Sequence, residues 1–592
     1  MYEDLRVIQQ KLGLNILFPI FIFLGLLFSI ARGASLVLPI DASVNLSLSK
    51  LYINEYAIVY DWAAVVWSSI HQLSSLLINI GLSPIFLANI LSLIGSIALL
   101  VGVSLILRRI KVSVLFIIPL TLLLCLFPTL PSLSGDYLFQ GIGTPHLSHF
   151  SLSFVILSLG LALSGKSFSS GFFSFLTISI HPFFGAFFAF FISAFIFFEY
   201  TQKKYSLSSS YIQSFIKGSL AGLTLTLISA SYFFIGYPSG ENLEIDIQAY
   251  STYMELWDYH RNVSFSYTPV ILNLSFAAIF FLLKKILSLY DEIDESLISF
   301  ICLLLFLSSG LYLLSEFINT GLINDMLETI SPGRFMILNG IFVFVGILYY
   351  LVQLSDFASL SKNSSISLGA GLFLCFTLII INQDFYPLFF QELSRNLIVI
   401  FSLVILPLFS LLFFILFRFY RKKFLTISQN FFKGIFLFFT LMLLVIFLSD
   451  HKIFLDKKKC ASFYPASPIL IATRNELKEL LRECAMPIII DPENLDMIPY
   501  LPHKADELSR IISIGYGINY FDPPHEIRKR GSINDNKVYV YKDIWESRTF
   551  VEWQIVKQQL NIHEIAAPLD WDIDLPRVAL LNQSAIYTLD NI

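Results

Sequence analysis

Long apolar runs, broken at short intervals by clusters of Lys, Arg, Gly and Pro, fill the chain as far as about residue 448. A helix needs roughly 20 apolar residues to cross the hydrocarbon core, and its backbone must close its own hydrogen bonds there. The runs at about 13–31, 84–107, 112–128, 147–164, 167–180, 182–199, 214–235, 267–283, 297–315, 335–353, 365–382, 396–417 and 428–448 therefore predict about thirteen crossings. The first is too long, and its basic flank too weak, for a cleaved leader, so it is expected to stay as a helix.

Two stretches need a second argument. Trp62 to Ile80 is apolar but holds His71, Gln72 and several Ser, and as a span it would put Arg108 and Arg109 on the outer face. It is expected to be an interfacial helix within the long outer loop 32–83, with Trp62 and Trp67 at headgroup level. The run from Lys166 to Lys203 is broken by His181-Pro182, which predicts either two short spans meeting near His181 or a re-entrant hairpin.

Basic residues orient the chain. Arg108, Arg109, Lys203, Lys204, Lys284 and Lys285 are among many Lys and Arg in alternate short loops, while the other loops hold few. This bias places the N-terminus in the cytoplasm and the region after residue 448 outside. That region, 449–592, is charged, contains Pro and has no span. It shows β-like runs at Pro487–Ile490, Val538–Tyr541, Val578–Leu581 and Ala585–Leu589. It also shows helix-like runs from Thr473 to Cys484, with Glu476 three residues after a capping Thr473, and from Ser547 to Leu560. The expected architecture is an α-helical polytopic membrane domain, 1–448, followed by a small α/β soluble domain.

Composition agrees. The chain has 592 residues, 56% of them hydrophobic, and 59 are Phe. Only 14% are charged, against about 25% in soluble domains. A net charge of −4 gives no basic excess to recruit nucleic acid. Cys125, Cys302 and Cys375 fall in apolar runs, whereas Cys460 and Cys484 both fall in the outer region and form a disulfide candidate.

Candidate chemistry gathers at the outer ends of the runs. All nine His lie on the outer side in this topology. Asp41, about ten residues past the first run, is a candidate general base, because burial raises a carboxylate toward the range where it takes a hydroxyl proton; a turn or cap residue is the alternative. The second outer loop, Ser134 to His149, carries Asp136, three Gly and a Pro, with His146 and His149 three apart at the head of a helix. Its functional reading is a phosphate or metal site, its bland reading a Gly-rich loop with capping imidazoles. His181 sits at a helix break that Pro182 alone would explain, which favours a cavity role. Trp257, His260 and Arg261 mix aromatic and charged groups suited to a sugar phosphate, or to an interfacial anchor. Arg334, after Ser331-Pro332-Gly333, has the planar fork to hold a lipid-linked phosphate, or snorkels to headgroups. No nucleotide-binding glycine loop, zinc-protease pattern or nucleophile elbow is present. No internal repeat is visible, and few charges fall at mid-span, which weighs against a transporter or flippase. An oligosaccharide polymerase or ligase would keep its Arg and His in a large late outer loop, and a scaffold would need none of these residues.

Thr144-Pro145-His146, His181-Pro182-Phe183-Phe184-Gly185, Trp257-Asp258-Tyr259-His260-Arg261 and Ser331-Pro332-Gly333-Arg334, in this order along the predicted spans, resemble GT-C-class membrane glycosyltransferases. The likeness is to bacterial GT-C-like proteins with a C-terminal periplasmic domain. The chain departs from oligosaccharyltransferases in having a lone Asp136 and no Trp-Trp-Asp-Tyr-Gly run. The resemblance implies a multi-pass protein of the bacterial inner membrane. It would transfer sugar from a polyprenyl-phosphate carrier to a glycan, lipid or protein acceptor on the outer face, with inversion. Asp41 or Asp136 would take the acceptor proton. Arg334, His260 and Arg261 would stabilise the departing phosphate, and His146, His149 and His181 would line the cavity. No cofactor is implied, and nothing in the residues supports a divalent metal.

Overall fold

A computed structural model describes residues 20–26, 38–110, 147–201, 209–236, 244–258, 267–287, 295–317, 332–357 and 465–590, apart from scattered positions within those stretches, and a few isolated positions between 112 and 133. The described chain is mostly helical and ends in a small sheet. The expected spans at 365–382, 396–417 and 428–448 lie outside the described residues, as do most of 112–128 and of 13–31.

Residues 38–79, within the expected long loop 32–83, form three short helices, α1 (Leu38–Leu48), α2 (Ile58–Val65) and α3 (Ser69–Asn79). The single interfacial helix expected over Trp62 to Ile80 is thus two helices. Ser68 takes extended backbone and its hydroxyl accepts the Ile70 N–H at 3.3 Å, so it caps α3 and separates it from α2. Nor does α3 simply float at the surface. His71, Ser74, Ser75 and Ile78 form its buried face, and Gln72 and Trp67 both reach Ser229.

Next come α4 (Pro84–Arg109), α5 (Leu147–Leu163), α6 (Ser167–Ile180), α7 (Pro182–Thr201) and α8 (Ser209–Gly236). After α9 (Ile247–Thr252) and its π-helical extension Tyr253–Trp257 come α10 (Tyr267–Leu287) and α11 (Glu295–Phe317). A 3-10 turn, Pro332–Met336, then leads into α12 (Asn339–Phe357). Among the described residues, Pro84–Arg109, Tyr267–Lys285 and Leu297–Leu314 are long and apolar enough to cross a membrane. Leu147–Leu163, Ser167–Ile180, Pro182–Phe197 and Arg334–Tyr350 are shorter apolar helices. Large apolar side chains such as Phe190, Ile271, Phe281 and Phe306 stand exposed on these helices, as suits contact with lipid. The break between α6 and α7 follows from local chemistry. His181 is extended, and Pro182 opens α7 at a position where its missing N–H costs nothing. Gly102 and Gly160 let α4 and α5 touch: a Cβ on Gly160 would lie 2.6 Å from the Gly102 carbonyl oxygen.

The C-terminal region builds a four-stranded sheet in the order β1-β2-β4-β3 from β1 (Leu470–Ile471), β2 (Glu564–Pro568), β3 (Arg577–Leu580) and β4 (Ser584–Thr588). β1 pairs parallel to β2, and the other pairs are antiparallel. β3 and β4 fall on two of the expected strand runs. Pro487–Ile490 contributes only a bridge from Ile488 to Ile469, and Tyr541 lies in a turn rather than a strand; Val538 and Tyr539 lie outside the described residues. β2 has no counterpart among the expected strands. Thr473 caps α13 (Arg474–Leu477) in a capping box with Glu476, and the helix continues as a π-helical segment, Lys478–Glu483. After α14 (Ala505–Arg510) and α15 (Lys542–Ser547), α16 (Phe550–Leu560) is capped the same way by Thr549 and Glu552. Cys484 is disulfide-bonded, while Cys460 lies outside the described residues.

The apolar core of this region does not stop at its own boundary. Ile40, Val44 and Val59 of the first loop, and Tyr253 and Trp257, belong to the same buried cluster as Ile471, Leu481 and Ile565. A second cluster fills the helix bundle.

Candidate functional site

Two polar gatherings lie close to α1–α3. The first is a seam between the loop helices and the C-terminal region. Arg482, on the π-helical segment, makes a fork-to-fork contact with Asp41 on α1: Nε donates to Oδ1 at 2.9 Å and Nη2 to Oδ2 at 2.8 Å. The partners are 441 residues apart and both are buried. Burial raises the Asp41 carboxyl, and the Arg482 guanidinium pulls it back. Burial also works against the Arg482 charge, but Asp41, with Asp491 and Glu493 behind it, keeps the guanidinium protonated. Asp491, just past the Ile488–Ile490 run, accepts the Glu493 N–H at 3.0 Å, and its carboxyl is pushed up to about 6 by burial, against the pull of Arg474.

Aromatic anchors close the seam. Trp257 is fully buried, stacks on Tyr520 with ring centres 5.6 Å apart, and donates its indole N–H to the Tyr520 carbonyl at 3.0 Å. Tyr520 returns a hydroxyl bond to the Ala249 carbonyl, and Tyr253 donates to the Leu495 carbonyl. The Trp257 ring therefore has no open face for a sugar, and its place is in the docking of α9 against the C-terminal region. Its expected companions His260 and Arg261 lie outside the described residues.

The second gathering is a lip where the α6–α7 break meets α3, α5 and the 3-10 turn. His181 is half-buried, and its Nδ1 accepts the Phe184 N–H at 3.5 Å. Arg334, His71 and His149 all act electrostatically on its ring. The fold explains the meeting. Phe335 packs on Phe183 and Phe187, with ring centres 5.0 and 4.3 Å away, which fastens the turn bearing Arg334 onto α7. Ser69 bonds Ser179 at 2.8 Å, which brings α3 to the end of α6. Ser43 meets His71 Nδ1 at 3.3 Å, so the lip reaches α1 two residues from Asp41. Three imidazoles and a guanidinium can bind an anion and stabilise charge that develops on it.

Of the expected site residues, His149 and Arg334 thus lie within electrostatic reach of His181, and Asp41 is engaged by Arg482. Asp136 and His146 lie outside the described residues. Among the described residues no group of three or more His, Cys, Asp or Glu could hold a metal ion. Sequence reasoning missed Arg482 and Asp491. At 3.6 residues per turn Arg482 falls almost opposite the face marked by Leu477, Leu480 and Leu481, so no sequence signal marked it; it is buried within the π-helical segment.

Compared with protein-family models, curated proteins and solved structures, the chain gives no match.

Proposed function

We propose that this chain is a GT-C-type membrane glycosyltransferase that moves a sugar from a polyprenyl-phosphate carrier to a glycan, lipid or protein hydroxyl. The reading includes a bacterial inner-membrane setting with about thirteen crossings, a cytoplasmic N-terminus, and the C-terminal region outside. The observation that supports it is that Arg334, His71 and His149 lie within electrostatic reach of His181, at the end of apolar helices. In this scheme the acceptor oxygen attacks the anomeric carbon from the face opposite the carrier. The bond from that carbon to the phosphate oxygen breaks, and the electron pair leaves with polyprenyl phosphate, whose growing charge falls to Arg334 and the imidazoles. The acceptor proton goes to Asp136, or to Asp41 once Arg482 has released it, because a carboxylate held by both arms of a guanidinium is a poor base. Sugar stacking on Trp257 has no part in the scheme.

The test is release of polyprenyl phosphate from radiolabelled polyprenyl-phosphate hexoses by the purified chain in nanodiscs, with envelope extract as acceptor. Transfer by the wild type and its loss in Arg334→Ala and His181→Ala are expected. Full transfer by both variants would remove the lip from the chemistry, and no transfer from any such donor would sink the reading.

A further inference from the structure

Two buried amides touch the segment that carries Arg334. Asn273 lies on α10 and is fully buried, and its Nδ2 donates to the Leu133 carbonyl at 2.8 Å and to the Met336 thioether at 3.7 Å. Asn339 opens α12, is also fully buried, and donates from Nδ2 to the hydroxyl of Ser308 on α11 at 2.9 Å. Asn273 and Ser308 both lie in helices long and apolar enough to cross a membrane, where a buried polar group is costly unless it is answered. Stability does not account for Asn273, because its Oδ1 has no hydrogen-bond partner among the described residues.

What the two amides share is the stretch just after Arg334. Met336 lies two residues past it and Asn339 five. Phe335 packs on Phe183 and Phe187 of α7. Three helices, α7, α10 and α11, therefore grip the chain within five residues of Arg334. Phe335 to Leu338 are buried, while Arg334 is half-buried, so the grip leaves Arg334 at the edge of a fixed segment. A cation that stabilises growing charge works best when its place is set beforehand. We propose that Asn273 and Asn339 are positioning residues that hold Arg334 in place for a phosphate at the lip. The inference rests on the lip as a phosphate site, and on no particular sugar.

The test uses the full chain in nanodiscs and two readouts. One is affinity for butyl phosphate by calorimetry, and the other is release of polyprenyl phosphate from the radiolabelled donors. Asn273→Leu and Asn339→Leu are each expected to weaken both by about tenfold, within the range that a misplaced group costs. In the Arg334→Ala background neither is expected to weaken them further, because a residue that acts through Arg334 then has nothing to position. Asn273→Leu removes buried bonds but also an unanswered oxygen, so its unfolding midpoint is expected to stay near that of the wild type. If that variant fails to fold, Asn339→Leu decides, since Ser308 keeps its bond to the Leu305 carbonyl at 3.4 Å. Losses that add to that of Arg334→Ala, or variants that bind butyl phosphate like the wild type, would overturn the inference while leaving the transfer reading intact. No butyl phosphate binding by the wild type would overturn it too. Binding that follows the expected pattern with no transfer from any donor would support the inference and sink the transfer reading alone.

Discussion

The seam and the lip are a few residues apart on the same loop helices, yet they handle charge in opposite ways. At the seam, Arg482 and Asp41 neutralise each other within an apolar core that joins the C-terminal region to α1 and α2. At the lip, the groups acting on His181 are an arginine and two other imidazoles. A matched pair sealed from water holds two pieces of chain in register. A guanidinium beside imidazole rings at a helix break is suited to an anion that arrives from elsewhere. The contrast separates residues that hold the protein together from residues placed for chemistry, and it puts Trp257 and, while paired with Arg482, Asp41 on the first side.

Breaking the seam is expected to have the largest effect. Arg482→Ala leaves a buried, unpaired carboxylate and should cost about 3–5 kcal/mol, read as a fall in the thermal unfolding midpoint of the C-terminal region. The double variant Asp41→Leu with Arg482→Leu should recover most of that loss, because replacing both charges removes the penalty. Equal losses in single and double variants would mean that the pair is incidental. The lip should respond the other way. Arg334→Ala should leave the unfolding midpoint within experimental scatter while lowering polyprenyl-phosphate release by about 10²- to 10³-fold, and Arg334→Lys should recover only part of it.

The seam region should also respond to pH. Burial holds Asp491 at about 6 and, despite hydrogen bonds from Thr473 and Ser584, lifts Glu476 to about 7. In both cases the folded state keeps its proton at a pH where the unfolded carboxyl has already lost it. Their contribution is therefore most favourable at the acid side. It declines as pH rises from the unfolded values near 4 through 6 for Asp491 and 7 for Glu476, by roughly 3 kcal/mol each at most. Unfolding midpoints should be higher at pH 5 than at pH 7.5, and Glu476→Gln should flatten the upper part of that slope. A midpoint that rises with pH over this range would contradict the assignment. The smallest effect is expected at the rim, where Lys504 meets the half-exposed Asp61 at 3.1 Å. Asp61→Asn should change stability by less than about 1 kcal/mol, since water already screens the pair.

Much of the local structure was legible in the residues. His181-Pro182 marks the α6–α7 break, and Thr473 with Glu476 marks a helix start, because both are fixed by neighbours within four residues. The lip was partly legible, since ionisable groups at the ends of apolar runs are costly unless they meet something. The seam was not. Nothing within reach of Asp41 in sequence points to Arg482, and the aromatic and charged run around Trp257 reads equally well as a binding loop until Tyr520 is seen on its face. The split between α2 and α3 was hidden because Ser68 is one polar residue among several, and only its extended backbone makes it a cap. β2 was missed because Glu564 to Pro568 lacks the β-branched density that marks a strand, and it is held by pairing with β4.

Sugar transfer at the lip with inversion is the central proposal. The direct measurement is the anomeric configuration of the product formed by the purified chain from a polyprenyl-phosphate hexose of defined anomer, read by proton NMR. A glycoside of the opposite configuration, absent when Arg334 is replaced by Ala, is the expected result. A product that keeps the donor's configuration, or one formed equally well without Arg334, would contradict the account.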